Sequence, residues 1–160
     1  MNATITKTAI TTDDLLSHLQ GHRNLTRRTI EAFPEKEFFN HSLGGMRTFA
    51  EMIMELLGIA APGVQEIVSG KSAPLVEHVD HENSKAKMLQ LWDEATAQIN
   101  VLWPQISEAR FQENITLFGM YEGTVWSSLF YFIDNEIHHR GQGYVYLRSL
   151  GIEPPAFYER

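Results

Sequence analysis

The chain has 160 residues, of which 43% are apolar, and this is enough for one globular domain with its own core. Its formal net charge of −7 comes without a block of like charges, which argues against nucleic acid as a partner. Because the chain has no cysteine, it has no disulfide, no thiolate ligand and no cysteine nucleophile, and any thiol chemistry needs a thiol cofactor.

The composition of the N-terminal stretch predicts neither a leader nor a membrane anchor. It lacks a basic segment followed by an apolar one, and no continuous apolar run in the chain is long enough to span a bilayer. We therefore predict one soluble domain over residues 1–160 with no membrane partner. The absence of cysteine is compatible with a reducing cytoplasm, which is the predicted location.

The first predicted helix begins near Asp13 and ends near Ala32. Thr12 followed by two acidic residues is typical of a helix N-terminus, because acidic side chains favour the positive end of the helix dipole. After Pro34, the paired glycines and small polar residues of 38–45 predict a loop.

The second predicted helix begins at Arg47 and carries one apolar stripe with the spacing i, i+3, i+4, i+7. It is expected to end near residues 61–63, where Pro62 and Gly63 follow each other, although residues 63–70 could add a further turn. Residues 71–83 are a predicted connection.

The third predicted helix extends from about Ser84 to Trp103, and its Trp92 and Trp103 are predicted core residues. Residues 115–119 resemble a short strand, but a single strand would leave its backbone groups unpaired, so a loop is predicted there.

The fourth predicted helix extends from about Gly123 to Ser149, and Gly151 with the two prolines that follow prevents its continuation. Four amphipathic segments without an alternating strand pattern predict an all-α fold, a four-helix bundle.

The fourth predicted helix has two occupied faces instead of one apolar and one solvated face. One face is predicted to pack in the core, and it carries Trp126, Phe130, Ile133, Ile137 and Tyr144. The opposite face is predicted to line a pocket, because it places hydrogen-bonding groups among aromatic rings: Ser128, Tyr131, Phe132, Asn135, His139, Gln142 and Tyr146.

Asn135, His139 and Gln142 project to the same side of one helix and can contact one ligand. A neutral imidazole is the commonest metal ligand, and two helical positions four residues apart suit one metal ion. Glu55, at the edge of the stripe of the second helix, can add a carboxylate from across the bundle. Two alternatives stay open: Glu55 as a solvated flank residue, and His139 as a member of an ordinary hydrogen-bond network.

The remaining charged residues of this segment are predicted to stabilise the helix. Glu136 and Arg140 have the spacing of an i, i+4 ion pair, which contributes a few tenths of a kcal/mol. His138 points away from His139 and is predicted to pair with Asp134.

Two segments carry a family resemblance: DNEIHHRGQGYVYLRSL at residues 134–150, with the tail that follows it, and MRTFAE at residues 46–51. They resemble the DinB/YfiT-like metalloenzyme superfamily. The resemblance implies a four-helix bundle with a ligand pocket, frequently a dimer in the bacterial cytoplasm, and a divalent metal held by three histidines.

The family's metal ligands are one histidine from the second helix and two, four residues apart, from the fourth. The corresponding positions here are Glu55, Asn135 and His139, so one of the three is a histidine. Such an oxygen-rich set favours Mn²⁺ or Mg²⁺, or a weak Zn²⁺ or Ni²⁺ site. Gln142 and Tyr146, which lie on the same predicted pocket face, are predicted to contact and orient the bound ligand or cofactor.

Family members with assigned chemistry are thiol-dependent transferases and isomerases, in which the metal binds a low-molecular-weight thiol. The resemblance therefore implies a metal-dependent thiol transferase or a related hydrolase-like enzyme. One alternative is a non-catalytic, small-ligand-binding or stress-related homodimer that has lost the family metal site. Another is a ligand-free homodimer that associates through Tyr131, Phe132 and Tyr146.

Overall fold

The computed structural model describes residues 10–160. Residues 1–9, which belong to the predicted domain and to the stretch assessed for a leader, lie outside the described residues. The helices are α1 (Thr12–Ala32), α2 (Glu35–Asn40), α3 (Phe49–Ser69), α4 (Lys85–Leu102) and α5 (Val125–Ser149). α1 and α3 each pack against both α4 and α5, which confirms the predicted all-α bundle.

Capping explains where the first two long helices begin. Asp14 N donates to Thr11 Oγ1 at 3.1 Å and Thr11 N donates to Asp14 Oδ2 at 3.0 Å, so both members of a capping box are present. Thr48 and Glu51 repeat this arrangement at the start of α3. α1 begins at Thr12, within one residue of the predicted start near Asp13, but the capping residue is Thr11 and not Thr12.

The predicted end of the second helix is wrong, because α3 continues through Pro62 to Ser69. Pro62 has no N–H to donate to the preceding turn, but Ala61 and Val64 on either side of it are buried. Burial of this stripe outweighs one lost backbone hydrogen bond. α3 ends at Gly70, whose φ of 67° lies in the left-handed region.

α3 is also the one helix of residues 10–160 that is long and apolar enough to cross a membrane. It is not a continuous apolar run, because Glu51, Glu55 and Glu66 interrupt it. Within its 18-residue apolar window, 72% is buried inside the bundle, as expected for the central helix of a core.

Two predicted loops contain regular structure. α2 occupies part of the predicted 38–45 loop because Phe38 is buried completely in the core. Residues 115–119 contain most of β1 (Asn114–Leu117), which pairs antiparallel with β2 (Tyr121–Thr124). The loop prediction for 115–119 is wrong. It assumed a single strand without a partner, and the partner strand β2 was not recognised because it is largely polar and lacks a pattern that predicts a strand.

The hairpin is fixed to α3 by a buried carboxylate. Glu66, 8% exposed, accepts from Phe118 N at 3.1 Å, and Phe118 and Gly119 have φ values of 54° and 67°. Only a tight turn with positive φ lets the Phe118 N–H reach a carboxylate on α3. The turn thereby comes to lie beside α3 and α5.

The predicted core face of α5 is largely wrong. Ile133 is buried, but Trp126 and Ile137 are 41% and 40% exposed, and Phe130 and Tyr144 are half-buried. The side that faces α1 and α3 instead combines apolar residues with the charged Glu136 and Arg140, so a search for apolar residues alone does not identify it: Val125, Leu129, Phe132, Ile133, Glu136, Arg140, Gly143 and Leu147. The predicted core residues Trp92 and Trp103 are both buried.

Glycines let α3 and α5 approach closely. A Cβ atom on Gly63 would lie 2.4 Å from the ring of Phe132, and one on Gly143 would lie 2.4 Å from the ring of Phe49. These contacts fix the rotation of α5 about its axis and bring the residues of the predicted pocket face toward α3.

Candidate functional site

The structure brings Glu55 of α3 together with Asn135 and His139 of α5. Glu55 Oε1 accepts from Asn135 Nδ2 at 3.1 Å and lies 3.1 Å from His139 Nε2. Asn135 and His139 are 8% and 5% exposed, and the Glu55 side chain is 13% exposed. Glu55 is therefore hydrogen-bonded and mostly buried, and it is not a solvated residue at the edge of the apolar stripe of α3.

Two further side chains complete this cluster. Arg47 Nη2 donates to Glu55 Oε2 at 2.5 Å, and His139 Nδ1 lies 2.9 Å from Gln142 Oε1. His139 is thus placed between two oxygen atoms, one from a carboxylate and one from an amide, and this fixes the plane of its ring. We call Arg47, Glu55, Asn135, His139 and Gln142 the Glu55 cluster.

The hydrogen bonds of the Glu55 cluster keep its carboxylate ionised. Burial by itself would raise the pKa of Glu55, but hydrogen bonds from Arg47, Asn135 and His139 outweigh burial and lower this pKa below its ordinary value. The site therefore holds a full negative charge at neutral pH, partly balanced by the half-exposed guanidinium of Arg47.

Tyr146, predicted to contact a cofactor, has a different position. Its side chain is completely buried and its hydroxyl donates to the backbone carbonyl of Arg47 at 2.8 Å. Tyr146 thus ties α5 to the start of α3. Phe132 is also buried, so Tyr131, at 52% exposed, is the one residue of the predicted Tyr131, Phe132 and Tyr146 interface that can reach a partner.

A cavity of about 370 Å³ opens beside the Glu55 cluster, between α3, α5 and the hairpin. Of the predicted pocket residues, Ser128, Tyr131 and Phe132 line it, and Glu55 joins it to the cluster. Asn135, His139, Gln142 and Tyr146 do not line it. The remaining lining is apolar, aromatic or acidic: Ile59, Glu77, Leu117, Phe118, Tyr121, Glu122 and Ser127.

The charged residues in the lining of the cavity all have the same sign. Glu55, Glu77 and Glu122 are acidic, and no lysine, arginine or histidine of residues 10–160 lines the cavity. Burial raises the pKa of Tyr131 above its ordinary value, and the nearby charges of Glu55, Tyr121 and Glu77 raise it further. The charged side chains that line the cavity are therefore all negative.

A metal ion at the predicted position would need Glu55, Asn135 and His139 as ligands. Among the described residues, no three histidine, cysteine, aspartate or glutamate side chains converge. Glu55 is already engaged by three protein groups, and Asn135 adds only a neutral amide. With Arg47 in place, this donor set does not fit a metal centre, and we derive no reaction step through one.

A second polar cluster on α5 was not predicted as a cluster. Glu136 Oε2 lies 3.6 Å from Arg23 Nη1, its Oε1 lies 3.7 Å from Arg140 Nη1, and it accepts from Thr26 Oγ1 at 2.6 Å. The side chains of Arg23, Glu136 and Arg140 are 1%, 1% and 8% exposed. The predicted i, i+4 pair of Glu136 and Arg140 therefore forms, but it is buried and not the weak pair that was expected.

The second cluster includes His22 of α1. Arg140 Nη2 lies 2.9 Å from His22 Nδ1, and Arg160 Nη1 lies 2.9 Å from His22 Nε2. Burial, followed by the charges of Arg140, His18 and Arg160, lowers the pKa of His22 to about 4. We call Arg23, Thr26, Glu136, Arg140 and His22 the Glu136 cluster.

One signal in the sequence could have found the Glu136 cluster. The middle of α1 places His22 and Arg23 between buried leucines at Leu19 and Leu25, which is unusual for a stripe that faces a core. A charged pair at Glu136 and Arg140 on another core helix is the partner that such residues require. The predicted Asp134–His138 pair does not form among residues 10–160, where both side chains are exposed.

Comparisons with known proteins agree with this architecture. The DinB family model matches residues 1–160. A search of curated proteins found no match.

Solved structures of DinB-like proteins are similar along almost their whole length. One from Bacillus subtilis has a TM-score of 0.73 and 22% identity, and the match covers 91% of this chain and 99% of that one. Another, from Bacillus cereus ATCC 10987, has a TM-score of 0.73 and 16% identity, with 91% and 97% covered.

A more distant similarity is to a mycothiol-dependent maleylpyruvate isomerase, with a TM-score of 0.61 and 15% identity. The match covers 84% of this chain and 61% of the isomerase. At these identities the solved structures show a shared fold, and the family model carries the assignment. The chain belongs to the DinB family.

Proposed function

We propose that this protein binds a small organic cation in the cavity between α3, α5 and the hairpin, with Glu55 as its anchoring carboxylate. The observation that carries this proposal is the combination of a cavity of about 370 Å³ with charged lining residues that are all acidic. Pockets of this size bury most of a small ligand, and a few polar groups among apolar walls set its orientation.

The walls of the cavity suit a cation that carries an apolar group. Tyr121, Tyr131 and Phe118 supply aromatic rings, and a cation gains from contact with a ring face. Arg47 occupies Oε2 of Glu55, whereas Glu77 and Glu122 form no ion pair within residues 10–160. Excess negative charge is therefore available to a ligand.

Three probes of nearly equal shape test the sign of the ligand: benzylamine as its ammonium ion, benzyl alcohol and benzoate. We expect the ammonium ion to raise the melting temperature, because a ligand that binds only the native state stabilises it. Benzoate should leave the melting temperature unchanged. Equal shifts with all three, or a shift with benzoate alone, would contradict the proposal.

Variants connect that shift to the cavity. Glu55→Gln should abolish the shift caused by the ammonium ion. Glu108→Gln changes the net charge by the same amount at an exposed residue outside the cavity, so it should keep the shift. If the two variants respond alike, the ammonium ion is bound elsewhere on an acidic surface.

A second candidate is a metal-dependent thiol enzyme, as the mycothiol-dependent isomerase of the same fold suggests. The orientation of His139 favours this candidate. Its Nδ1 contacts Gln142 and its Nε2 faces Glu55. In metal-bound histidines, too, a neighbouring group holds one ring nitrogen while the other binds the metal. A metal ion would supply Lewis-acid stabilisation of a thiolate. It would have to displace Arg47 from Glu55.

Competition between Arg47 and a metal ion can be measured directly. If this second function holds, Arg47→Ala should bind Mn²⁺, Ni²⁺ or Zn²⁺ more tightly than the unchanged protein in calorimetric titrations, and His139→Ala should bind none. Lys36→Ala removes an exposed positive charge elsewhere and serves as the control. No metal binding by the Arg47→Ala variant would remove this candidate.

A further inference from the structure

Residues 71–83, which connect α3 to α4, contain no helix or strand but are attached to the bundle at several points. Ala73 N donates to Glu66 Oε2 at 3.3 Å, and Leu75 and Val79 are partly buried against the apolar core. We call residues 71–83 the strap. These contacts fix the path of the strap, although the sequence predicted only a connection here.

The backbone of the strap lies directly on Gly58 of α3. A Cβ atom on Gly58 would lie 2.3 Å from the carbonyl oxygen of Val76 and 3.1 Å from Cα of Glu77. Glycine in the interior of a helix lowers the stability of the helix relative to alanine, and it is found where another backbone approaches closely. A larger residue at this position would push the strap away from α3.

The strap thereby places Glu77 at the mouth of the cavity. Glu77 is exposed and lines the cavity, and so does Glu122 of β2. The Glu55 side chain, which lines the same cavity, is 13% exposed. The cavity therefore has one mostly buried carboxylate at its inner end and two exposed carboxylates at its mouth.

The two carboxylates at the mouth are available to a ligand. Glu77 and Glu122 form no ion pair within residues 10–160. Most of the other lining is apolar or aromatic and includes Ile59, Phe118 and Tyr131. A ligand that matches these features carries a positive charge at both ends and an apolar segment between them. A linear diamine has this chemistry, because both of its amino groups are protonated at neutral pH.

We infer that Glu77 is a specificity-determining residue of the cavity, that Gly58 positions it through the strap, and that the ligand is a linear diamine. One ammonium group contacts Glu55, and the other contacts Glu77 and Glu122 at the mouth. This inference rests on the proposed function, because it assigns a second charged group to the cation proposed for the same cavity.

Three compounds of equal chain length isolate the effect of the second charge: diaminopentane, aminopentanol and aminopentane, each titrated into the full chain by calorimetry. An exposed ion pair contributes little, so we expect diaminopentane to bind about three to five times more tightly than the other two, after correction for its two equivalent ends. Equal affinities would overturn this inference and leave the proposed function standing. If none of the three binds, this inference fails, and the benzylamine experiment decides whether the proposed function fails as well.

Substitution of Glu77 connects the preference for diaminopentane to the strap. Glu77→Gln should lower the affinity for diaminopentane more than that for aminopentane, so that most of the preference is lost. Glu82→Gln removes the same charge from an exposed residue of the strap outside the cavity and should keep the preference. A preference that is unchanged in Glu77→Gln, or that is lost equally in Glu82→Gln, would overturn the inference.

Gly58→Ala tests the positioning role, because the added Cβ atom would displace the backbone of Val76. We expect the preference for diaminopentane to fall although every carboxylate of the cavity is still present. Gly141→Ala is the matched control, since a Cβ atom there would meet nothing within 4 Å, and it should keep the preference. A folded Gly58→Ala variant with the full preference would overturn the positioning role.

A second variant displaces the strap without a change in α3, and it decides the positioning role if Gly58→Ala does not fold. Ala73→Pro removes the N–H group that donates to Glu66. The preference for diaminopentane should fall in this variant as well, with an unchanged circular dichroism spectrum. If the full preference remains, the position of the strap does not determine specificity.

Discussion

The Glu55 cluster and the Glu136 cluster are built from the same eight residues of α5, Asn135–Gln142. Asn135 and His139 contact Glu55 of α3, and Gln142 holds His139, whereas Glu136 and Arg140 contact Thr26 of α1. In each cluster a carboxylate is paired with groups on another helix: Glu55 of α3 with Asn135 and His139 of α5, and Glu136 of α5 with Arg23 and Thr26 of α1. The Glu55 carboxylate also borders a cavity, whereas the Glu136 side chain is 1% exposed.

This difference separates a binding role from a structural role. A buried ion cluster without access to a cavity has no room for a ligand, and its charges only need each other. A carboxylate that is held on one side and open on the other has remaining capacity to accept hydrogen bonds from a ligand. The comparison predicts that Glu136 contributes more than Glu55 to the free energy of unfolding, and that Glu55 contributes more than Glu136 to ligand binding in the cavity.

The largest expected effect is on the Glu136 cluster. Glu136→Gln leaves Arg23 and Arg140 buried without a counter-charge, which we expect to cost about 3 to 5 kcal/mol of unfolding free energy. Urea unfolding followed by circular dichroism measures this change, with Glu108→Gln as an exposed control. A loss as small as that of the control would show that the Glu136 cluster is not sealed from water.

The next effect is a dependence of stability on pH. His22 has a pKa of about 4 in the folded protein against an ordinary value of 6.5, so below pH 6.5 the unfolded chain binds a proton that the folded chain does not. The free energy of unfolding is therefore highest above pH 6.5, and it falls by about 2 to 3 kcal/mol as the pH drops toward 4.

Unfolding free energies measured at several pH values between 4 and 7 check this prediction. The slope should become shallower in His22→Gln and stay unchanged in His78→Gln, which changes an exposed histidine outside both clusters. A slope that is unchanged in His22→Gln would assign the pH dependence to other groups.

Glu55→Gln should have a smaller effect on stability than Glu136→Gln. The amide still accepts a hydrogen bond, and Arg47 is half-exposed and can return to water, so we expect a loss of about 1 kcal/mol. The same variant should lose the shift caused by the ammonium probe. A loss as large as that of Glu136→Gln would erase the distinction between the two clusters.

The smallest expected effect belongs to Arg47→Ala. Its ion pair with Glu55 is partly exposed, and we expect about 0.5 kcal/mol or less. Because the Arg47 hydrogen bond lowers the pKa of Glu55, this pKa should rise in the variant. Titration of the Glu55 carboxyl group by NMR checks the direction, and an unchanged pKa would contradict the assigned cause.

Some of the Glu55 cluster could be predicted from the sequence. Asn135, His139 and Gln142 share one side of a helix by spacing alone, and helix periodicity placed Glu55 where it could face them. Arg47 could not be assigned in this way, because its contact depends on the route of the chain before α3. The metal predicted at Glu55, Asn135 and His139 and the cofactor contacts predicted for Gln142 and Tyr146 stay predictions.

The Glu136 cluster could not be predicted from local patterns. An i, i+4 pair has the same spacing whether it faces water or a core, and only the position of α1 decides between them. The same limitation explains the inverted faces of α5. Trp126 and Ile137 are as apolar as core residues, but the polar side of the helix is buried because α1 and α3 supply its partners.

The sequence by itself determined the four long helices, most of their ends and the buried stripes of α3 and α4, because helix formation and amphipathic spacing are local properties. Only the tertiary structure decided that α3 passes through Pro62, that residues 114–124 form a hairpin, and which side of α5 faces the core. These outcomes depend on contacts between residues far apart in the chain, where burial and paired charges outweigh local preference.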